Sequence, residues 1–157
     1  MKTLLTAAAA LALAALPAAA SAQNVEKIGT PGGRILTGAK VKAGGEMLFL
    51  SGNLASPITP GGSDYGDTKT QTISTLNKIK GLLAAQGYEM KDIIRMDAYL
   101  VAAPGMNGKM DFAGFNAGFA EFFGTTENPS TVTRTTMQIA GLAAPWGLVE
   151  LTVVAAK

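Results

Sequence analysis

Segments with the two-residue hydrophobic period of β-strands alternate along this chain with segments that have the helical period of about 3.6 residues. The order of these segments limits the folds that the chain can adopt. Residues 35–41 and 47–51 have strand-like patterns on either side of Gly44-Gly45, which predicts a β-hairpin after an irregular lead-in at residues 23–34. The remaining elements follow in the order helix, strand, helix, strand, strand, at residues 67–87, 93–101, 111–123, 131–139 and 148–155. This order predicts an α+β fold in which both helices pack on one face of a mixed β-sheet.

The two helical segments carry apolar residues at spacings of three and four, which is typical of a helix with one buried face. In the first helix we expect Asp67 to be the N-cap and Gly87 to mark the C-terminus. Its predicted buried face consists of Ile73, Leu76, Ile79, Leu82 and Leu83. The second helix carries an aromatic stripe, which we interpret as core rather than as a ligand site, made of Phe112, Phe115, Phe119 and Phe122.

The strand at residues 93–101 alternates in polarity, so its two faces have different environments. We expect the apolar face to consist of Ile94, Met96, Ala98 and Leu100. The opposite face carries Arg95, Asp97 and Tyr99. Because both helices cover one side of the sheet, its other side needs a partner, and we expect the chain to form a homo-oligomer.

Residues 1–22 have the pattern of a cleavable secretory signal peptide. Lys2 precedes an Ala/Leu-rich run, and Ala20-Ser21-Ala22 matches an A-x-A cleavage site. The apolar run of 13 residues at 4–16 is shorter than the ~20 that a membrane-spanning helix needs. We therefore expect one exported domain at residues 23–157, periplasmic or secreted, with no membrane association after cleavage.

The chain contains no cysteine and no histidine. Their absence excludes Ser-His-Asp triads, thiolate nucleophiles, disulfides and Cys/His metal sites. The acidic residues do not follow a calcium-loop pattern either, so we expect no metal site. Removal of residues 1–22, which hold one basic and no acidic residue, lowers the net charge from +2 to +1. So small a charge gives no electrostatic basis for binding nucleic acid.

Two isolated charges lie near the C-terminus. Arg134 and Glu150 are the only charged residues between Asn128 and Ala156, and each lies in a predicted strand of otherwise uncharged, mostly apolar or hydroxylated residues. Such charges must be paired, hydrogen-bonded or solvated. One interpretation is a cross-strand salt bridge or two separate solvated side chains. The other is a shared pocket in which Arg134 binds a carboxylate and Glu150 handles a water or a proton.

The residues around these two charges resemble a known pattern. Residues 134–142, a six-residue loop and the triplet 149–151 resemble the C-terminal signature of the RidA (YjgF/YER057c/UK114) family. Residues 47–53, which end in Ser-Gly-Asn, resemble that family's strand ending in Ser-Gly-Gln. Residues 115–123 resemble its second-helix segment, in which an Asn precedes a run ending in Phe-Phe.

This resemblance implies a chorismate-mutase-like fold assembled as a homotrimer with clefts between subunits. It also implies hydrolytic deamination of 2-imino acids or their enamine tautomers to 2-keto acids and ammonia, as by a 2-iminobutanoate/2-iminopropanoate deaminase. In that reaction Arg134 would bind the substrate carboxylate and Glu150 would position the water. Further substrate contacts are implied for Ser51, Gly52, Asn116 and Thr136. No metal or organic cofactor is implied.

One departure from the family pattern leaves alternatives open. The family usually has Gly-Pro-Tyr-Ser-Gln in its first strand, whereas residues 35–39 read Ile-Leu-Thr-Gly-Ala and lack the pocket tyrosine. A non-catalytic module that binds small carboxylates is therefore the main alternative to an enzyme. An endoribonuclease is a weaker alternative, because the near-neutral chain offers neither a basic track nor a histidine acid–base pair.

Overall fold

The computed structural model describes residues 24–157, so the predicted signal peptide at residues 1–22 lies outside the described residues. Six strands, two α-helices and a single turn of 3₁₀-helix form this part of the chain. In chain order they are β1 (Val25–Ile28), β2 (Gly38–Val41), β3 (Met47–Leu54), α1 (Thr68–Ala85), the 3₁₀ turn (Met90–Asp92), β4 (Ile93–Leu100), α2 (Phe112–Phe119), β5 (Thr133–Gln138) and β6 (Val149–Ala156).

Four of the strands form the main sheet, in the spatial order β3-β6-β4-β5. The pairs β3–β6 and β4–β6 are antiparallel, while β4 and β5 are parallel. The parallel pair follows from α2, which connects these strands and returns the chain to the end of the sheet where β4 began. The sheet is therefore mixed, as predicted, and its two edge strands are β3 and β5.

The predicted hairpin between residues 35–41 and 47–51 is wrong. β2 pairs instead with β1, which lies in the stretch we predicted to be irregular, and together they form a separate two-stranded sheet. β3 pairs with the C-terminal strand β6, and the contact continues through reciprocal backbone hydrogen bonds between Glu46 and Lys157. Strand β6 offers β3 a long partner with matching apolar alternation, so this pairing is favoured over the local hairpin that the turn residues Gly44-Gly45 predicted.

Helix α1 has the predicted termini. The Asp67 side chain accepts a hydrogen bond from the backbone N–H of Thr70 at 2.8 Å, and Gly87 adopts a left-handed conformation with φ of +75° just beyond the C-cap. Leu76, Ile79 and Leu83 are fully buried, but Leu82 is 42% exposed. In residues 24–157 neither helix has the length and apolar character needed to cross a membrane.

The aromatic stripe of α2 differs by one position from the prediction. Phe115, Phe119 and Phe123 are buried, while Phe112 is 42% exposed and Phe122 packs only at the margin of the core. The helix ends at Phe119, and further along Gly124 adopts a left-handed conformation with φ of +72° and donates a backbone hydrogen bond to the carbonyl of Ser130. The interpretation of this stripe as core is thus correct for two of the four predicted residues, and Phe123 completes it.

The core lies between the inner face of the main sheet and the two helices. Met96, Ala98 and Leu100 of β4 face it as predicted, but Ile93 takes the place expected for Ile94. A bulge between Ile93 and Arg95 shifts the register against β6 and turns Ile94 to the outer face. There Ile94 packs in a second apolar cluster beneath the two-stranded sheet, with Val25, Ala39, Val41, Val154 and Ala156.

Candidate functional site

Arg134 lies on the edge strand β5 with its side chain on the inner face of the sheet. Its register partner Met96 is fully buried in the core, and neighbours in register share a face. The guanidinium carbon lies 4.5 Å from the ring centre of Phe119 and 5.0 Å from that of Phe115, both on α2. These are cation–π contacts. The aromatic face of α2 therefore positions the one cation of β5.

Asn116 on α2 fixes the orientation of this guanidinium. Its Oδ1 accepts a hydrogen bond from Nη2 of Arg134 at 2.8 Å, and its Nδ2 donates to the carbonyl of Phe112 at 2.9 Å. The second bond holds the amide against its own helix, so the oxygen is directed at β5. Two of the predicted site residues are thus in direct contact.

The electrostatic environment of Arg134 is cationic. Burial lowers the pKa of the Arg134 guanidinium, and the positive charge of Arg34 lowers it further. Among the described residues the salt bridges join Lys69 to Glu121, Lys91 to Glu89 and Arg95 to Asp97. The salt-bridge interpretation of Arg134 and Glu150 is therefore wrong within the described chain, and Arg134 keeps a charge that no carboxylate of residues 24–157 neutralises.

Two donors on this strand face have no hydrogen-bond partner among residues 24–157. The buried Nη1 of Arg134 makes no hydrogen bond, and neither does the buried Oγ1 of Thr136, two residues further along β5. Thr136 is paired with Ala98, so it shares the inner face with Arg134. Buried donors are rarely left unpaired, since each one costs about 1–3 kcal/mol. The strand thus carries a cation and a hydroxyl whose buried donors lack an acceptor in the described part of the chain, and an anionic ligand that reaches them would supply one.

Glu150 occupies a different place in the sheet. It lies on β6, in register with Tyr99 of β4 and Leu54 of β3, and therefore on the outer face. The described residues form no hydrogen bond and no ion pair with its half-buried carboxylate. At the same point β3 has a bulge, in which Ser51 and Gly52 leave the ladder. A Cβ at position 52 would collide with Oε1 of Glu150, so a larger residue there would displace this carboxylate.

The six predicted site residues thus form two separate groups. Arg134, Asn116 and Thr136 lie on the inner side of the edge strand β5, while Ser51 and Gly52 of the edge strand β3 lie beside Glu150, which is on the outer face of the neighbouring strand β6. Strands are about 4.8 Å apart, so β5 and β6 are separated by roughly 10 Å across β4. One chain by itself does not bring Arg134 and Glu150 into a shared pocket.

Sequence reasoning missed two contributors to this region. Arg34 lies in the segment predicted to be an irregular lead-in and carries no motif, so its proximity to Arg134 had no signal in the sequence. The phenylalanines of α2 were interpreted as core alone, although Phe115 and Phe119 both pack in the core and contact the guanidinium. Among residues 24–157 no three acidic side chains cluster closely enough to hold a metal ion.

Comparison with known proteins identifies the class to which this fold and these residues belong. A family model described as Endoribonuclease L-PSP matches residues 39–157. A RutC family protein of Pyrococcus horikoshii is 39% identical over 89 residues, a match that covers 55% of this chain and 64% of that protein. The chain belongs to this family, which is the RidA/YjgF family of the sequence resemblance.

Solved structures of the family have the same fold. A protein of the conserved Rid family, YyfB from Yersinia pestis, superposes with a TM-score of 0.66 at 20% identity and covers 85% of this chain and 99% of its own. TdcF of E. coli, solved with bound serine, has a TM-score of 0.57 at 27% identity and covers 84% of this chain and 98% of its own. The predicted α+β fold of this family is confirmed.

The contact between Asn116 and Arg134 leads to a prediction about stability. Replacement of Asn116 by alanine leaves Nη2 of a half-buried guanidinium without its acceptor, so we expect a loss of about 1–2 kcal/mol in the free energy of unfolding. Urea titration followed by circular dichroism measures this change. Asn77→Ala, the same substitution at an exposed position of α1, is the matched control, and equal effects of the two substitutions would contradict the prediction.

Proposed function

We propose that this protein hydrolyses reactive 2-imino acids, or their enamine tautomers, to 2-keto acids and ammonia. The observation that carries the proposal is the uncompensated guanidinium of Arg134, which is held by Asn116 and two phenylalanines and has a buried donor free for a carboxylate. Arginine binds carboxylates through two parallel hydrogen bonds, which fixes orientation as well as position. The unpartnered hydroxyl of Thr136 lies beside it on the same face of β5.

The chemistry of imine hydrolysis makes modest demands on the protein. A protonated imine is already electrophilic, so water attacks its carbon, and a C–O bond forms as the C=N bond becomes a single bond. Glu150, whose carboxylate makes no hydrogen bond within the described chain, would accept one proton of the attacking water and pass it to the nitrogen. The C–N bond then breaks to release ammonia while the hydroxyl oxygen forms the C=O bond of the keto acid and loses its remaining proton to solvent. Positioning and one such acid–base group contribute on the order of 10²–10⁴-fold, without histidine, cysteine or a cofactor.

The separation of the two groups within one chain calls for an assembly. In a closed head-to-tail ring, one surface of each subunit meets a different surface of the next. If the β5 edge of one protomer packs on the outer face of its neighbour's sheet beside β3 and β6, Arg134 and Thr136 of the first can face Ser51, Gly52 and Glu150 of the second. We propose that the protein forms a homotrimer of this kind and that the pocket lies between subunits.

The outer face of the main sheet supports self-association. Phe49 is 69% exposed, Met47 is 43% exposed and Met137 is 38% exposed, and all three project from this face. Large apolar side chains grouped on one sheet face are typical of an interaction surface. The two-stranded sheet covers only one end of this face, at Ile94 and Val154.

A known relative bears on the class of ligand. The solved structure of TdcF of E. coli contains bound serine, which is a small molecule with one α-carboxylate. We extend only this feature to the present chain, where Arg134 is the group suited to such a carboxylate.

Replacement of Arg134 by alanine tests the proposal. We expect kcat/KM for 2-iminobutanoate, generated in situ by an amino acid oxidase, to fall by roughly 10- to 100-fold, because a charged hydrogen-bond pair of about 1.5–3 kcal/mol is lost from the transition state. Release of 2-oxobutanoate is the measurement. Lys80→Ala, which removes an exposed cation from α1, should leave the rate unchanged.

The same assay separates the proposal from a non-catalytic binding module. The absence of the pocket tyrosine from residues 35–39 favours that alternative. Thermal stabilisation by small carboxylates that depends on Arg134, without any keto-acid release above the uncatalysed rate, would establish a binding module and contradict the enzyme. Equal turnover by the wild-type protein and Arg134→Ala would contradict the role of this residue.

An endoribonuclease remains a second candidate because the matching family model is described by that activity. The net charge of +2 and the absence of histidine do not favour it. Incubation of tag-free protein with single-stranded RNA decides the matter, and cleavage that persists in a nuclease-free preparation would replace the deaminase proposal.

The exposed sheet face predicts the effect of a charge at position 49. We expect the wild-type protein to sediment as a trimer and Phe49→Glu to shift it toward the monomer, because three like charges would be buried near one another. Analytical ultracentrifugation measures the distribution. Ile58→Glu alters a side chain of similar exposure (57%) in the loop after β3 and serves as the control. A monomeric wild-type protein would contradict the proposed assembly.

We also propose that residues 1–22 direct export and are removed. The basis is the sequence pattern of this segment, in which a charged start, an apolar run and an A-x-A site follow one another. After expression in a Gram-negative bacterium, the protein recovered from the periplasm should begin at Gln23 by mass spectrometry. Full-length protein confined to the cytoplasmic fraction would contradict this expectation.

A further inference from the structure

A second arginine lies beside the candidate carboxylate site. Arg34 borders a cavity of about 420 Å³ that is also lined by Asn116, Phe119 and Thr131. Asn116 and Phe119 are the residues that hold the guanidinium of Arg134. The volume lies within the range of roughly 300–1,000 Å³ that is common for small-molecule pockets. Arg34 thus lines the cavity directly, whereas Arg134 lies behind two of the lining residues, Asn116 and Phe119.

The backbone around Arg34 is tied to the strand that carries Arg134. Its carbonyl accepts a hydrogen bond from Oγ1 of Thr131 at 2.7 Å, and the N–H of Leu36 donates to the carbonyl of Val132 at 2.9 Å. Thr131 and Val132 lie directly before β5 and are buried. The position of Arg34 relative to β5 is thus set by the fold, although its side chain is exposed.

The charges of these two arginines are not neutralised within residues 24–157. In the part of the chain that the structure describes, no carboxylate forms an ion pair with either guanidinium. Arg34 is close enough for its charge to lower the pKa of Arg134. Two cations brought together without a counter-charge destabilise the site, and an anionic ligand between them removes that cost.

We propose that Arg34 makes this site selective for 2-imino acids that carry a second carboxylate at the far end of the side chain. Arg134 would bind the α-carboxylate, and Arg34 would bind the terminal carboxylate across the cavity. This inference rests on the proposed function for the imino group, but the selectivity for a dicarboxylate is a separate property of the cavity. It assigns a role to a residue that lies outside every motif in the sequence.

Access to Arg134 from the cavity requires the guanidinium to turn. This turn gives up the hydrogen bond from Nη2 to Asn116 and part of the contact with Phe115 and Phe119, whereas Nη1 has no partner within residues 24–157 to lose. The bound carboxylate replaces that bond with a charge-assisted pair, which is the stronger interaction. The free donor of Arg134 thus lowers the cost of binding.

Isothermal titration calorimetry with two keto acids tests the selectivity. The probes are 2-oxoglutarate and 2-oxopentanoate, which have the same five-carbon chain and differ in the terminal carboxylate. For the wild-type protein we expect about tenfold tighter binding of 2-oxoglutarate, because one more charged hydrogen-bond pair forms. Arg34→Gln should make the two affinities nearly equal, mainly by weakening the binding of 2-oxoglutarate.

Lys40→Gln is the matched control, since it removes one exposed cation from β2 and should preserve the tenfold preference. Equal affinities in the wild-type protein, an unchanged preference in Arg34→Gln, or no binding of either keto acid would overturn the inference. The readout is binding alone and does not depend on turnover. A preference for the dicarboxylate without deaminase activity would therefore refute the proposed function and leave this inference in place. Turnover of 2-iminobutanoate without that preference would support the proposed function and refute this inference.

Discussion

The packing of α2 against the edge strand β5 is the contact on which the candidate site depends. Phe115 and Phe119 bury their rings between helix and sheet and also form the surface on which the Arg134 guanidinium lies. Core burial of two phenylalanines contributes several kcal/mol to the free energy of unfolding. The same apolar contact that stabilises the domain therefore also holds a cation in place. Asn116, between them on the helix, then sets the direction of the guanidinium.

The pairing of β3 with the C-terminal strand determines the other half of the site. It places β3 at the second edge of the sheet and puts Glu150 next to the bulge at Ser51-Gly52. Arg134 and Glu150 are therefore separated within one chain. In the proposed homotrimer the two groups would meet between neighbouring subunits, and the exposed outer face of the sheet would be part of the contact.

The sequence predicted much of the fold because several signals are local. The N-cap at Asp67, the left-handed Gly87 and the alternation along β4 depend on neighbours within a few residues, and all three are confirmed apart from the bulge at Ile94. The hairpin prediction failed because strand pairing is not local. β3 had a plausible turn before it, but the partner that buries its apolar face lies about 100 residues away at the end of the chain.

The sequence alone determined which residues are available for chemistry and which family they resemble. It singled out Arg134 and Glu150 as the two charges of the last strands and excluded imidazole and thiol chemistry, since composition does not depend on folding. Only the tertiary structure decided that Arg134 faces α2 while Glu150 faces outward at the other side of the sheet. It also brought Arg34 close to Arg134, because backbone hydrogen bonds between distant segments, rather than any local pattern, set that distance.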